Sequence, residues 1–232
     1  MPTEVLMEEE AKAVQEVAKT TGKAIDAARE AGGFIARFIS GPIEQGIGIF
    51  EDHLRYMRWE RQIRLMQRAQ DLLRLAGLPA PTRPVPLKLL IPIMHGASLE
   101  ENDDLQDRWA ALLVNAGNAN FRSEVRRSYA VILEQLTPLD AQILDVLYSL
   151  PFEKSQHDGI ATAELPVHAH IKEEKEQQFP LPSDEVVISL SNLARLGCLR
   201  PGMTWGGGES FGQVNPTVAG KAFVEACRAY GT

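Results

Sequence analysis

Cysteine is scarce in this sequence: Cys198 and Cys227 are the only two among 232 residues. They form neither a C-x-x-C pair nor a spacing typical of zinc ligands, which excludes a disulfide-stapled scaffold and a zinc finger. A chain of this length needs no such cross-links, because it can bury roughly 70 to 75% of the surface that its unfolded form exposes. We therefore expect the protein in a reduced compartment.

Long apolar runs are also missing, and the N-terminus lacks the basic start of a secretory signal. Its first residues, MPTEVLMEEEAK, carry acids instead, which predicts a cytoplasmic protein. The longest apolar stretch runs from Phe34 to Phe50 and is interrupted by Arg37 and Glu44, so it is too short to span a bilayer. Contact with a membrane surface stays open.

Basic residues are in deficit, and the formal net charge is -7 at pH 7. This charge opposes a general attraction to nucleic acid or to anionic lipid, so binding of either kind needs a local basic face. The contents of hydrophobic residues (44%) and charged residues (24%) are ordinary for globular proteins. Composition therefore predicts a globular protein and excludes general disorder.

The pattern of the first half is helical. Residues 1–40 predict a helical arm, and residues 41–77 predict a long helix that restarts at Pro42 and ends at Gly77. An apolar residue recurs at every fourth position across the break, at Ile35, Ile39, Ile43 and Ile47. Residues 78–86 contain four prolines and predict a stiff, extended linker, which is the clearest boundary in the chain.

Residues 87–136 predict a helical bundle. A short apolar helix starts at Leu87 and ends near Met94, and a second begins near Asn102. The second helix carries apolar side chains on one face, at Leu105, Trp109, Leu112, Leu113 and Ala116. A third follows the same pattern, with Val125, Tyr129, Ile132, Leu133 and Leu136.

Residues 137–232 predict a winged-helix-like module. Thr137 caps a helix that ends near Leu150, a polar loop follows, and a short helix is expected from Pro166 to about Lys175. Ser183 caps the next helix, and a glycine-rich hairpin between Met203 and Val214 suits a two-stranded wing. A last helix starts at Pro216 and is expected to bury Val218, Ala222, Phe223 and Cys227.

The predicted fold class is therefore mainly α: a long N-terminal helix and a helical bundle, followed by a C-terminal winged-helix-like module with a small β-hairpin. Its order of helices, hairpin and final helix is the order of winged-helix proteins.

Five stretches of the sequence resemble the abortive-infection alpha family of bacterial proteins. These are GPIEQGIGIFEDHLRYMRWERQIRL, PVPLKLLIPIMHGASLEENDDLQDRWAALLVNA, LTPLDAQIL, and the ending LARLGCLRP with NPTVAGKAFVEAC. The resemblance covers residues 34–228, and its most specific part is the run from Glu101 to Ala116. It implies a role in resistance to bacteriophage through a response that sacrifices or arrests the infected cell. It implies no reaction and brings no catalytic residues.

One candidate nucleic-acid site lies on the long helix. Arginines share the face opposite to the predicted packing residues Tyr56, Trp59, Ile63, Met66 and Leu73. They are Arg58, Arg61, Arg64 and Arg68, with Arg55 at the edge. Such a row can follow a phosphate backbone, but Glu60 and Asp71 dilute it, and a solvated face with local ion pairs is the ordinary alternative.

The predicted winged helix lacks the basic residues of a DNA reader. Between Ser183 and Leu196 the only base is Arg195, and no Lys or Arg lies between Arg200 and Lys221. Phosphate contacts depend on such side chains. We therefore expect a protein partner or another copy of the chain in preference to DNA.

Two clusters have the residue types of metal sites. Acids gather at the start of the second bundle helix, at Glu100, Glu101, Asp103, Asp104 and Asp107, where the helix dipole stabilises them without a metal. His168 and His170 would point about 200° apart on a helix. No catalytic motif, cofactor motif or small-molecule site is found, so we expect a non-enzymatic protein without metal or cofactor.

The apolar stretch from Phe34 to Phe50 supports a second hypothesis, a peripheral membrane contact. Bulky apolar residues beside glycine and few charges can insert into an interface, and the contacts would be Phe34, Phe38, Ile47 and Phe50. The alternative is that these residues pack against the bundle. Three functions therefore remain open: binding of protein partners or self in antiphage defence, a nucleic-acid-binding regulator, and a membrane-associating effector.

Overall fold

A computed structural model describes residues 32–39, 59–173, 180–204 and 206–229 of the chain. Side-chain positions start at residue 61 within the second of these ranges. The predicted arm before residue 32 and the predicted helix up to residue 58 lie outside the described residues. Four proposed site residues fall there as well: Ile47, Phe50, Arg55 and Arg58.

The described N-terminal part is helical. Residues 32–36 form a helical turn, and four longer helices follow. They are α1 (Trp59–Leu75), α2 (Leu87–Leu99), α3 (Asp103–Ala116) and α4 (Arg127–Glu134). The three predicted bundle helices are thus confirmed, with α2 continuing five residues beyond its predicted end.

Local residues set the ends of these helices as predicted. Gly77 has φ 68° after α1, and the N–H of Leu78 reaches back to the carbonyl of Leu73 at 2.8 Å. The Asn102 side chain accepts from the backbone N–H groups of Asp104 and Leu105 and caps α3.

Helix α3 lies at the centre of the fold. It contacts α1, α2 and α4, and also two helices of the second half, Pro138–Ser149 and Val218–Ala226. Its five predicted core residues are all buried, and so are residues on its other faces, such as Val114 and Asn115. From Trp109 to Ala116 every residue is buried, as is expected for a helix segment at the centre of a core.

The proline-rich segment is extended, as predicted, and is bound along its length. The N–H groups of Thr82 and Arg83 donate to the Gly117 carbonyl at 2.8 and 3.0 Å. The Arg83 guanidinium donates to the carbonyls of Ala116 (2.7 Å) and Asn115 (3.0 Å) in the last turn of α3. The segment therefore fixes the C-terminal end of α3.

The second half combines helices with a small antiparallel sheet. Its helices are α5 (Pro138–Ser149), α6 (Phe152–Asp158), α7 (Asp184–Arg195) and α8 (Val218–Ala226). Its strands are β1 (Ile160–Ala161), β2 (His170–Ile171), β3 (Leu199–Met203) and β4 (Glu209–Pro216), in the order β2-β1-β4-β3. The described chain is therefore mainly helical with a four-stranded sheet.

Two predictions in this half are wrong. The polar loop after Pro151 is the helix α6. The helix expected from Pro166 to about Lys175 is, over its described residues 166–173, a turn followed by β2. Ile171 pairs with Ile160 of β1, and Ile160 pairs in turn with Val214 of β4. Pairing with β1, which itself pairs with the distant strand β4, overrides the local pattern, because sheet stability depends on cross-strand partners.

The hairpin prediction is confirmed. Strand β3 pairs with β4 from Leu199 opposite Pro216 to Met203 opposite Glu209. At the tip, the N–H of Thr204 donates to the carbonyl of Gly208 at 2.8 Å, and Gly207 has φ 80°, which favours glycine.

One hydrophobic core extends from Phe34 to Cys227 and includes side chains on both sides of the predicted boundary at residue 137. Val218 is an exception to the predicted burial of α8, because it is the first residue of that helix and is 69% exposed. In the part of the chain that the structure describes, no helix has the length and hydropathy needed to cross a membrane.

Candidate functional site

The row of arginines flanks the buried face of α1. That face comprises Gln62, Leu65, Met66, Ala69 and Leu73, which confirms the predicted burial of Met66 and Leu73. Ile63 is half-exposed, so the helix is turned relative to the predicted packing. Arg64 and Arg68 consequently lie towards α3.

Both of these arginines form ion pairs with α3. Arg64 pairs with Asp103 and Arg68 with Asp107, so the two helices run in the same direction. Arg61 is half-buried. A phosphate-binding face needs arginines whose charge is free. Within the described residues, two arginines of the row, Arg64 and Arg68, are instead neutralised by carboxylates.

The acidic cluster is divided by the same contacts. Asp103 and Asp107 face the arginines of α1, and Glu100 accepts from the backbone N–H of Asn102 at 2.8 Å. Among the described residues, no three His, Cys, Asp or Glu side chains are placed to hold a metal ion. The cluster joins two helices and stabilises the start of α3.

A charged cleft, which the sequence analysis did not find, lies where α1, α3, α5 and the end of α8 meet. Its volume is about 610 Å³. Arg108 of α3 donates to Asp145 of α5 at 2.5 Å, and Arg228 donates to the other oxygen of Asp145 at 3.3 Å. Asp145 is 37 positions from Arg108 and 83 positions from Arg228 in sequence, so no local spacing could have indicated that the three side chains meet.

Cys227 also lines the cleft, and Cys198 is buried nearby in the second half. Burial raises the pKa of the Cys198 thiol to about 12 and moves the pKa of Cys227 even further above its usual value. Both thiols are therefore protonated at neutral pH, and neither has the thiolate character of a nucleophile.

His168 and His170 do not lie on a helix, so the predicted divergence of their rings is wrong. They flank the buried Ala169 in extended chain, where alternate residues share a face. Their ring centroids are 6.4 Å apart with an interplanar angle of 23°. They form a pair of exposed imidazoles to which the described residues add no third ligand.

The two described residues of the proposed membrane contact pack inside the protein. Phe34 is 2% exposed and Phe38 is 0% exposed, and their ring centroids are 5.2 Å apart. Phe38 lies against Gly117, where a Cβ atom would come within 2.9 Å of its ring. This is the packing that the sequence analysis gave as the alternative to membrane contact.

The outward face of α7 is acidic and apolar. Asp184 and Glu185 are exposed in its first turn, and Ile188 follows with 71% exposure. Arg195, the one base of the helix, donates to the Gln135 side chain at 2.8 Å and to the Asn192 side chain at 2.6 Å. No other base on this helix is available for a phosphate.

Comparison with known protein families gives one match. The profile described as "Abortive infection alpha" matches residues 60–227, which is most of the chain. No curated protein and no solved structure matches the chain significantly.

Proposed function

Because the chain belongs to the abortive infection alpha family, we propose that it acts in bacterial defence against phage by binding a protein partner or a second copy of itself. In this proposal the described residues from α5 to α8 form a winged-helix-like unit that makes the contact. The unit has two helices, two short strands, a further helix, a hairpin and a closing helix. This order agrees with a winged helix.

The outward face of α7 carries this proposal. A winged helix that reads DNA places basic and amide side chains on the corresponding helix and in the wing. Here the face begins with Asp184 and Glu185 and continues with Ile188, and residues 201–220 contain no Lys or Arg. Acidic and apolar residues repel a phosphate backbone but suit a protein surface.

The ion pairs of α1 support the same choice. Arg64 and Arg68 would have to leave Asp103 and Asp107 before they could contact phosphates. That exchange costs part of the binding energy and leaves two carboxylates close to the nucleic acid.

We propose a non-enzymatic role, with the cleft as a structural junction. The guanidinium groups of Arg108 and Arg228 are directed at the Asp145 carboxylate, and the Cys227 thiol is protonated. Catalytic sites usually contain ionisable groups with strongly shifted pKa values that face an open pocket. Here the two guanidinium groups and the carboxylate bind one another instead.

Phage plating on a susceptible bacterium that expresses the full chain tests the proposal. The variant Asp184→Lys with Glu185→Lys should lose protection while keeping its thermal stability. The control Glu164→Lys with Glu209→Lys makes the same change in net charge at exposed positions elsewhere and should protect normally. Unchanged protection by the α7 variant would overturn the proposal.

A nucleic-acid titration at increasing salt tests the alternative function with the same proteins. Binding that weakens steeply with salt, and that Arg64→Gln with Arg68→Gln abolishes, would favour a nucleic-acid-binding regulator. Flotation with lipid vesicles would instead favour the membrane-associating effector.

A further inference from the structure

Residues 32–39 form a short piece of chain that packs against the rest of the protein, and we call it the docked segment. Its helical turn covers residues 32–36. Phe34, Ile35 and Phe38 are buried against the protein. Arg37 is exposed, and its guanidinium lies over the Phe34 ring, 5.0 Å from the ring centroid. The docked segment is therefore amphipathic, with its apolar side chains turned inwards and its one charge turned to solvent.

The docked segment depends on this packing for its structure. A helical turn of that length is unstable in water by itself, because nucleation fixes several residues for very few hydrogen bonds. Among the described residues, a single backbone hydrogen bond joins the docked segment to the rest of the chain, from the N–H of Val85 to the carbonyl of Phe38 at 2.8 Å. Burial of the three apolar side chains is therefore what holds the docked segment in place.

Phe38 occupies the place where the proline-rich segment meets the end of α3. A Cβ atom at Gly117 would come within 2.9 Å of the Phe38 ring and within 3.1 Å of Pro81. The backbone of Gly117 has φ -87° and ψ 0°, which residues with a side chain also adopt. Gly117 is therefore required by the close approach of Phe38, and a larger residue there would compete with Phe38 for the same space.

The docked segment has the composition of a membrane-surface contact. Its sequence, GGFIARFI, contains no acid and one base, although the whole chain has a net charge of -7. Interfacial helices place bulky apolar side chains at the level of the acyl chains and basic groups at the lipid head groups. Apart from Arg37, the docked segment has no polar side chain that could orient it on a protein partner, whereas insertion into lipid needs no such fixed geometry. These properties favour lipid as its second environment.

We propose that the docked segment is a stored membrane contact, which leaves its place against Gly117 and inserts Phe34, Ile35 and Phe38 into the surface of a lipid bilayer. Lipid binds only the released form, so the apparent affinity for a membrane falls with the fraction of molecules in which the segment is docked. Docking keeps the same side chains out of water while no membrane is bound. This inference goes beyond the proposed function, because it assigns a second surface that works without a protein partner.

Limited trypsin digestion and vesicle flotation of the full chain test release and insertion separately. A protease needs locally unfolded backbone, so cleavage after Arg37, identified by mass spectrometry, reports release. We expect the unaltered chain to resist this cleavage and to stay in the soluble fraction with vesicles of phosphatidylcholine, with or without phosphatidylglycerol. Gly117→Val should raise both the cleavage rate and the affinity for these vesicles by about tenfold or more, because it increases the released fraction.

Matched variants separate the two steps. Gly206→Val is the control for Gly117→Val, because a Cβ atom at residue 206 meets no atom within 4 Å, and it should behave like the unaltered chain. Adding Phe34→Ser and Phe38→Ser to Gly117→Val should keep the cleavage after Arg37 and abolish flotation. Gly117→Ala adds the Cβ atom alone and should give a smaller increase in both measurements, so the test does not depend on the folding of the valine variant.

Three results would refute the stored membrane contact. Gly117 variants that are folded by circular dichroism and stay uncut after Arg37 would show that the docked segment does not leave. Variants that are cut but do not float would show that the released segment has no affinity for lipid. Flotation of the unaltered chain to the same extent as Gly117→Val would show that docking does not control membrane contact. The first two results leave the proposed function intact, because phage plating of the α7 variant tests it independently.

Discussion

Arg108 of α3 donates to the carboxylate of Asp145 on α5 at 2.5 Å, across the boundary that the sequence predicted between bundle and C-terminal module. Arg108 is only 12% exposed, whereas Asp145 is 48% exposed and also accepts from Arg228. A guanidinium that is mostly removed from water depends strongly on its partner. This contact therefore couples the two halves of the chain.

Replacement of Asp145 by alanine should destabilise the protein by about 1 to 3 kcal/mol, because Arg108 keeps its burial and loses its charged acceptor, retaining only the Ala141 carbonyl at 3.4 Å. Urea unfolding followed by circular dichroism measures the effect. The control Asp71→Ala removes an exposed pair with Arg74 and should change the free energy of unfolding by about 0.5 kcal/mol or less. Equal effects of the two substitutions would show that the contact across the boundary has no special weight.

Gly220 lies where α8 approaches α5. A Cβ atom at this position would overlap the Tyr148 hydroxyl and the Cys198 carbonyl. We expect Gly220→Ala to cost about 1 to 3 kcal/mol through overpacking, measured as a lower midpoint of unfolding. Gly206→Ala, which meets no atom within 4 Å, is the control.

Removal of the helix cap at Thr137 should destabilise the protein moderately. Its hydroxyl accepts from the N–H of Asp140 at 3.1 Å, while the Asp140 carboxylate accepts from the N–H of Thr137 at 2.8 Å. Thr137→Ala should lower the free energy of unfolding by about 1 kcal/mol, and Thr137→Ser should retain most of it. A neutral alanine variant would argue against the reciprocal cap.

Alkaline pH should unfold the protein through its buried thiols. Burial raises the pKa of Cys198 from 9.0 to about 12, and the pKa of Cys227 rises further, so the folded state keeps protons that the unfolded state releases. The stabilisation is complete below about pH 9 and is lost as the pH rises towards 12. Equilibrium unfolding at stepped pH measures this loss, which Cys198→Ala should reduce.

The same burial should protect both thiols from reagents. Ellman's reagent at pH 8 should label them slowly in the folded protein and rapidly in urea, because the reagent needs an accessible thiolate. Rapid labelling of the folded chain would contradict the burial of the cysteines.

The ends of the helices could be predicted from the sequence, whereas the contacts of the proposed site residues could not, because the two depend on residues at different distances along the chain. A cap such as Ser183, which accepts from the Val186 N–H at 3.5 Å, acts within one turn and is visible in a short window of sequence. The left-handed Gly197 after α7 is a signal of the same kind. The partners of Arg64 and Arg68 are 39 residues further along the chain, so a window of one helical turn does not contain them.

The sequence by itself determined the helical class, most helix ends in the described residues, the hairpin and the resemblance to the family. These depend on contacts within a few residues, or on a motif that stays in one segment such as Glu101 to Ala116. Only the tertiary structure decided that Ile171 pairs with Ile160, that Arg108 and Arg228 share Asp145, and that Val131 and Ile188 stay outside the core. Each of these outcomes depends on which distant segments pack together, and packing of the whole chain selects among faces that the local pattern leaves equivalent.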